Sequence, residues 1–233
     1  MSDARAETFR EEQKRRYDDT YFAAYRDDPS RREMYRKERA RIERYKSGGR
    51  ILDIGCGLGQ FLSEFPPDRW ERFGTDVSEL AIEAARGRGI RVNDFAQAYD
   101  YPPGFFDVIV FRGSLQLIPD PFAVVQTSIR LLAPGGYLVL LSTPNSNSPY
   151  YRRFKTLPFL TPHANFLIPS DVMMRDTLRN YGLEVVDIQY PYLDTPYARP
   201  LRDHAFYVLS FLGLKRKFPF WRSAMELYAR KPA

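Results

Sequence analysis

Short apolar segments alternate with segments of helical periodicity from residue 50 to the C-terminal end. This alternation is typical of an α/β protein, in which helices cover the faces of a doubly wound sheet. The apolar segments predict seven strands, at residues 50–55, 70–75, 90–93, 106–111, 137–141, 183–190 and 223–229. The helical spacing between them predicts helices at residues 58–65, 79–86, 121–132, 170–181 and 203–213.

Residues 1–46 differ from the rest of the chain, because they carry many charges of both signs and contain no glycine. A narrow apolar stripe predicts a solvated helix there, and Ser30 is its predicted N-cap. Upstream of that helix, one helical face is shared by Tyr17, Tyr21, Phe22 and Tyr25. We interpret residues 1–46 as a helical extension that either docks on the main domain, residues 47–233, or acts as a lid over a bound ligand.

The composition fits one domain with additions, since the chain has 233 residues of which 44% are apolar. A single cysteine, Cys56, excludes an intramolecular disulfide and fits a reducing compartment. We see no signal-peptide pattern and no apolar run of about 20 residues, the length that a membrane span needs. These features predict a soluble, cytoplasmic protein.

The segment ILDIGCGLGQFL, residues 51–62, carries the clearest chemical signal. Its glycines at 55, 57 and 59 permit a tight turn and let a ligand approach the main chain closely. A dinucleotide-binding fold has the spacing G-x-G-x-x-G, whereas here the spacing is G-x-G-x-G and Asp53 lies two positions before the first glycine. An acid at that place would repel a pyrophosphate, so the pattern favours a different nucleoside ligand.

Two further acids follow the next two predicted strands. In open α/β sheets, ligands bind at the carboxyl ends of the strands. Asp76, at the end of the second strand, can accept hydrogen bonds from the hydroxyls of a ribose. Asp94 follows the third strand and can accept from an adenine amino group, while its neighbour Phe95 can stack on the ring.

These motifs resemble those of class I S-adenosylmethionine-dependent methyltransferases, over almost the whole length of the chain. The resemblance is carried by Leu52 to Gly59, Gly74 to Ser78, Asn93 to Phe95, Phe106 to Pro121 and Leu131 to Gly136. It implies a Rossmann-like sheet with the strand order 3-2-1-4-5-7-6 and an antiparallel seventh strand. Later segments resemble the branch that methylates small molecules, including quinone precursors and sugars of polysaccharide pathways.

The resemblance implies S-adenosylmethionine as the cofactor, S-adenosylhomocysteine as the product, and no metal. The residues that we expect to contact the cofactor are Tyr17, Tyr21, Asp53, Gly55, Cys56, Gly57, Gln60, Asp76, Val77, Asp94, Phe95, Arg112 and Gln116. We expect an in-line transfer of the methyl group to a small-molecule acceptor, at a hydroxyl of a sugar or of another secondary-metabolite or polysaccharide precursor. Residues 143–168 and 191–220 are the expected substrate-covering insertions.

The chain departs from the family pattern after the fourth strand, where relatives often carry a histidine and this chain has Gln116. An amide cannot act as a general base. His163, in the long loop, can, because histidine titrates near neutrality. The alternatives are a loop histidine that only fixes the loop, or a substrate that loses its proton to water.

The formal net charge is +6, and basic residues concentrate near the C-terminus around the apolar segment at residues 206–214. Such a segment can lie on a membrane surface, but we favour its packing as a substrate cover or a dimer contact. The charge also suggests an alternative function, binding or methylation of nucleic acid, although the Asn/Asp-Pro-Pro-aromatic motif of enzymes that methylate bases is missing from residues 112–115. We expect a monomer or a homodimer.

Overall fold

The computed structural model describes residues 19–23, 28–94, 100–160, 165–213 and 216–233, with the backbone alone described at 19 and 20. Within these residues the strands are β1 (Gly49–Ile54), β2 (Trp70–Asp76), β3 (Arg91–Asp94), β4 (Phe106–Arg112), β5 (Leu132–Pro144), β6 (Glu184–Gln189) and β7 (Ala224–Arg230). The α-helices are α1 (Asp19–Ala23), α2 (Pro29–Ile42), α3 (Glu79–Arg86), α4 (Pro121–Leu131), α5 (Pro149–Phe154), α6 (Asp171–Asn180) and α7 (Pro200–Leu209). Short 3-10 helices lie at Leu62–Glu64, Leu115–Leu117 and Ser210–Leu212.

The strands form one seven-stranded sheet with the order β3-β2-β1-β4-β5-β7-β6. Strand β1 pairs in parallel with β2 and β4, and β2 pairs in parallel with β3. Strand β7 is antiparallel to both β5 and β6. The predicted fold class and strand order are therefore confirmed. No helix in the described parts of the chain is both long enough and apolar enough to span a membrane.

The chain divides into two compact units. The first unit comprises Met1–Val110 and Leu131–Ala133, and its core is centred on the fully buried β1 residues Ile51, Leu52 and Ile54. The second unit comprises Phe111–Arg130 and Pro134–Ala233. Its core contains the fully buried pair Leu140 and Leu227, which face each other in the β5–β7 register.

The helix predicted at residues 58–65 is wrong, because the structure has only the 3-10 helix Leu62–Glu64 there. Its apolar residues match a helical spacing, yet the backbone is at φ 53° at Gly57 and 74° at Gly59. Left-handed residues interrupt an α-helix. The apolar spacing thus reflects burial of an irregular turn.

The predicted cap of α2 is also wrong. Asp28 is the N-cap, its Oδ1 accepts from the main-chain N–H of Ser30 at 2.9 Å, and Pro29 occupies the first helical position. Proline is favoured there because its missing N–H would have no helical partner. Ser78 is the N-cap of α3, and its side chain accepts from Ala81 N.

Strand β5 begins at Leu132, earlier than the predicted start at residue 137, and includes Pro134, Gly135 and Gly136. The N–H of Gly135 donates to the carbonyl of Lys231 at 2.9 Å, and the N–H of Lys231 donates to Gly136 at 2.8 Å. These pairings with the end of the chain extend the strand. Helix α5 was missed because its six residues are too short to show a helical period.

Candidate functional site

The glycine turn of the first unit is fastened to the end of β2. The N–H groups of Gly55 and Cys56 both donate to the carbonyl of Thr75, each at 2.9 Å. Gly55 has φ 85°, a left-handed conformation that glycine adopts without steric cost. The sequence therefore places glycine where the chain leaves β1 and turns across the carboxyl end of the parallel strands.

Gly57 and Gly59 differ in what surrounds them. A Cβ atom at Gly59 would lie 2.6 Å from Ile90 Cδ1 and 2.9 Å from Ala85 Cβ, so glycine permits close packing against α3. Among the described residues, a Cβ atom at Gly57 would meet only Phe22 Cε1, at 3.5 Å. The main chain at Gly57 is thus open to close approach by a ligand.

Asp76 lies at the end of β2 and joins that strand to the glycine turn. Its Oδ2 accepts from Gly57 N at 2.8 Å, and its Oδ1 accepts from Val77 N at 2.8 Å and Ser78 N at 3.0 Å. A carboxylate offers about four acceptor positions, so about one remains for a further donor such as a sugar hydroxyl. Burial raises the pKa of Asp76 against the opposing effect of these hydrogen bonds.

Asp94 is the neighbour of Asp76 across the sheet, because the two acids are partners in the parallel register of β2 and β3. The negative charge of Asp94 contributes to the raised pKa of Asp76. Two predicted contact residues are therefore side by side at the strand ends. Phe95, the predicted stacking partner, lies outside the described residues.

Asp53 and Cys56 are both buried beside the turn. A Cβ atom on Gly74 would lie 2.6 Å from Cys56 Sγ, so the thiol occupies the space that a larger residue in β2 would need. Burial, together with the charges of Asp76 and Asp53, raises the pKa of the Cys56 thiol well above its ordinary value. Cys56 is thus a neutral packing group. Gln60 and Val77 are half-buried.

Helix α1 adds aromatic side chains next to the turn. Phe22 is buried in a cluster with Leu58 and Ala81, and its ring meets that of Tyr21 edge to face at 5.1 Å. Tyr21 itself is 39% exposed. Sequence reasoning placed Tyr21 among the contact residues but missed the packing of Phe22 beside Gly57. Tyr17 lies outside the described residues.

The remaining predicted site residues belong to the second unit. Arg112 ends β4, half-buried, and Gln116 is buried in the 3-10 helix Leu115–Leu117. The Nε2 of Gln116 donates to the carbonyl of Gly113 at 2.8 Å. Its Oε1 is buried and has no hydrogen-bond partner among the described residues. His163, the predicted base, lies outside the described residues, so its role stays a prediction.

Asp53, Asp76 and Asp94 lie at or near the carboxyl ends of β1, β2 and β3, where the glycine turn also begins. The three acids place carboxylates around the glycine turn, and carboxylates suit a ligand with hydroxyl and amino donors and a positive charge. The part of the chain that the structure describes contains no group of three metal-ligating side chains.

A polar network in the second unit was not predicted. Asp171, at the start of α6, accepts from Asn147 Nδ2 at 2.8 Å, Tyr190 Oη at 2.5 Å and Arg222 Nη2 at 2.6 Å. Burial alone would raise the pKa of Asp171, but these hydrogen bonds outweigh it and lower the pKa to about 2. The sequence gives no signal for this network, since its members come from four distant segments.

Comparison with known proteins gives a consistent result. A methyltransferase-domain family matches residues 26–188. The ubiquinone biosynthesis O-methyltransferase of Thiobacillus denitrificans is 32% identical over 162 residues, which cover 61% of this chain and 67% of that protein. The protein of the same name from Pseudomonas aeruginosa is 37% identical over 160 residues, with the same coverages of 61% and 67%.

Solved structures share the fold at lower sequence identity. A methyltransferase dependent on S-adenosylmethionine from Archaeoglobus fulgidus has a TM-score of 0.62 at 19% identity, covering 91% of this chain and 98% of that one. The [4+2]-cyclase SpnF has a TM-score of 0.60 at 22% identity, covering 85% and 81%. Because the cyclase shares the fold, structural likeness does not assign the reaction, which rests on the family match and the curated relatives. The chain belongs to the methyltransferase-domain family and is an S-adenosylmethionine-dependent methyltransferase.

Proposed function

We propose that this enzyme transfers the methyl group to a hydroxyl oxygen of a small-molecule acceptor, and that the acceptor is a quinone precursor. The support comes from relatives at about a third identity that carry the name ubiquinone biosynthesis O-methyltransferase. No relative that we compared points to the sugar acceptor that the sequence also suggested. The cofactor supplies an activated methyl group on a sulfonium, so the protein contributes mainly alignment of donor and acceptor.

The observation that carries the proposal is the placement of Asp76. It is buried, it is held by the N–H groups of Gly57, Val77 and Ser78, and it keeps acceptor capacity for another donor. We assign this capacity to the ribose of S-adenosylmethionine. We assign Asp94 to the amino group of the adenine and Phe95 to stacking on the adenine ring. Gly57 allows the cofactor to approach the main chain closely. Asp53 adds negative charge that suits a sulfonium.

A proton must leave the acceptor hydroxyl when oxygen is methylated. The side chain of Gln116 is a neutral amide, which is not basic, so it cannot take that proton. His163 is our proposed base. Residues 143–168 and 191–220 are proposed to cover the acceptor, and residues 1–46 are proposed as the lid.

The cofactor site is tested by calorimetry with S-adenosylmethionine and S-adenosylhomocysteine. Asp76→Ala should weaken binding at least 100-fold, because it removes a ribose acceptor and releases three main-chain N–H groups. Asp68→Ala is the matched control, since Asp68 is an exposed acid in the same unit and should bind normally. Near-normal affinity in Asp76→Ala, with folding verified by circular dichroism, would show that the ribose lies elsewhere.

The acceptor is tested by presenting hydroxylated quinone precursors and matched sugars with labelled cofactor. Mass spectrometry should locate the new methyl group on oxygen of the quinone precursor. Methylation of a sugar alone, or of nitrogen, would contradict the proposed acceptor while leaving the cofactor site intact. Salt-sensitive RNA binding, measured alongside, would support the alternative nucleic-acid function instead.

A further inference from the structure

Helix α7 presents an apolar face to solvent. Leu201 is 91% exposed, Val208 is 64% exposed and Leu212, in the 3-10 helix that follows, is 83% exposed. With Ala205 between them, these residues recur at spacings of four, three and four, which places them along one side of the helix. Leu209 and Phe211 are exposed beside them. We call these six residues the outer face of α7: Leu201, Ala205, Val208, Leu209, Phe211 and Leu212.

The opposite, inner side of the helix packs against the rest of the second unit. Asp203 and Ser210 are buried, and Asp203 accepts from Tyr192 Oη at 2.8 Å. The ring of Tyr207 stacks on Phe220 with centroids 4.4 Å apart. The helix is therefore anchored by its inner side, and it cannot rotate to bury the outer face within the second unit.

Exposed cations stand on both flanks of the outer face. On one flank, the guanidinium groups of Arg202 and Arg216 lie over the ring of Phe206, at 5.8 Å and 5.3 Å from its centroid. Arg202 also pairs with the buried Asp203 at 2.8 Å, so the positive charge offered to a partner on this flank comes from Arg216. On the other flank, Arg153 lies 4.8 Å from the centre of the Phe211 ring, and it donates to the carbonyl of Ser210. Lys217 is exposed next to Arg216.

We propose that the outer face of α7 docks on an anionic membrane surface. Apolar side chains bordered by arginines match a bilayer interface, where the apolar groups enter the acyl boundary and the cations meet lipid phosphates. A second copy of the chain fits less well, because a two-fold contact through this face would bring the same arginines of both copies together. The sequence analysis favoured packing of this segment as a substrate cover or a dimer contact, and the exposure of these side chains together with the flanking arginines is what changes that interpretation.

The proposal goes beyond methyl transfer and holds for any acceptor. Its test is co-sedimentation of the full chain with vesicles of phosphatidylglycerol and phosphatidylcholine, against vesicles of phosphatidylcholine alone. The wild-type protein should bind the anionic vesicles at least tenfold more strongly than the neutral ones, and high salt should weaken that binding.

Leu201→Asp/Leu212→Asp should lower binding to anionic vesicles at least tenfold. Val208→Asp, a single substitution on the face, should also weaken binding. Val172→Asp is its matched control, since it places one negative charge at an exposed apolar residue in the first turn of α6 and should bind as the wild type does. Arg216→Gln/Lys217→Gln should reduce the preference for anionic over neutral vesicles. Circular dichroism checks the folding of every variant.

Sedimentation equilibrium tests whether a second copy of the chain, rather than a membrane, covers the outer face of α7. A wild-type dimer that dissociates in Leu201→Asp/Leu212→Asp, without vesicle binding, would assign the outer face to a second copy and overturn the proposal. Equal vesicle binding by the wild-type protein and both face variants would also overturn it.

Discussion

Two glycines two positions apart in one turn have different roles. Both have left-handed backbones, with φ 53° at Gly57 and 74° at Gly59. Within the part of the chain that the structure describes, only Gly59 is closed in by packing, since its missing Cβ would overlap Ile90 and Ala85. Gly59 is therefore required for packing, whereas Gly57 is available for close approach by a ligand.

Alanine at residue 59 should mainly reduce stability, whereas alanine at residue 57 should mainly weaken cofactor binding. An alanine in the left-handed region costs about 1–2 kcal/mol, and overpacking at residue 59 adds roughly 1–3 kcal/mol. We expect Gly59→Ala to lower the free energy of unfolding more than Gly57→Ala, in urea denaturation. Gly57→Ala should fold but bind S-adenosylmethionine at least tenfold more weakly, by calorimetry. Normal binding by Gly57→Ala would show that the ligand does not approach the main chain there.

At the scale of elements, helix α2 is held to the turn region through Glu64. Arg32 Nε and Arg36 Nε pair with the two carboxylate oxygens of Glu64 at 2.8 and 3.1 Å. Arg39 Nη1 donates to the main-chain carbonyl of Glu64 at 2.7 Å. The alternating charges that predict a solvated helix thus also provide its attachment.

Glu64→Gln should loosen α2 with little loss of global stability. The arginines are substantially exposed, so the lost pairs contribute about 1 kcal/mol or less. Hydrogen exchange should speed up at the amides of α2 and stay unchanged in α6. Glu71→Gln is the matched control, because Glu71 also pairs with two arginines, Arg50 and Arg91, in the same unit. Equal exchange in α2 for the two variants would contradict this attachment.

The elements also show how far the sequence can be interpreted. Helix α3 begins and ends where predicted, because Ser78 caps it and its apolar face is regular. The helix predicted at residues 58–65 was wrong because apolar spacing indicates which residues are buried, whether or not the backbone is helical. The acids and glycines of the site could be placed from the strand ends on which they lie. Phe22 beside Gly57 could not, since their proximity depends on tertiary packing.

At the scale of the whole molecule, part of the net charge of +6 has a structural role. Arg86 donates to the carbonyl of Val92 in the first unit, and Arg222 pairs with Asp171 in the second. A count of charges cannot separate such residues from Arg216 or Lys217, which are exposed. The basic composition therefore indicates a charged partner only where the cations border an uncovered surface.

The network at Asp171 predicts how stability of the molecule depends on pH. Because its pKa is lowered to about 2 from 3.8, Asp171 stabilises the fold above about pH 4, and this contribution is lost as the pH falls toward 2. The shift corresponds to about 2 kcal/mol of unfolding free energy. Asp171→Asn should lower the free energy of unfolding by at least that amount at pH 7, measured by denaturant titration. Between pH 4 and pH 2, the unfolding free energy of the variant should fall less than that of the wild type. Asp176→Asn, an exposed acid on the same helix, should keep the wild-type pH dependence. If Asp171→Asn kept that dependence as well, another carboxylate would be responsible for the acid sensitivity of the protein.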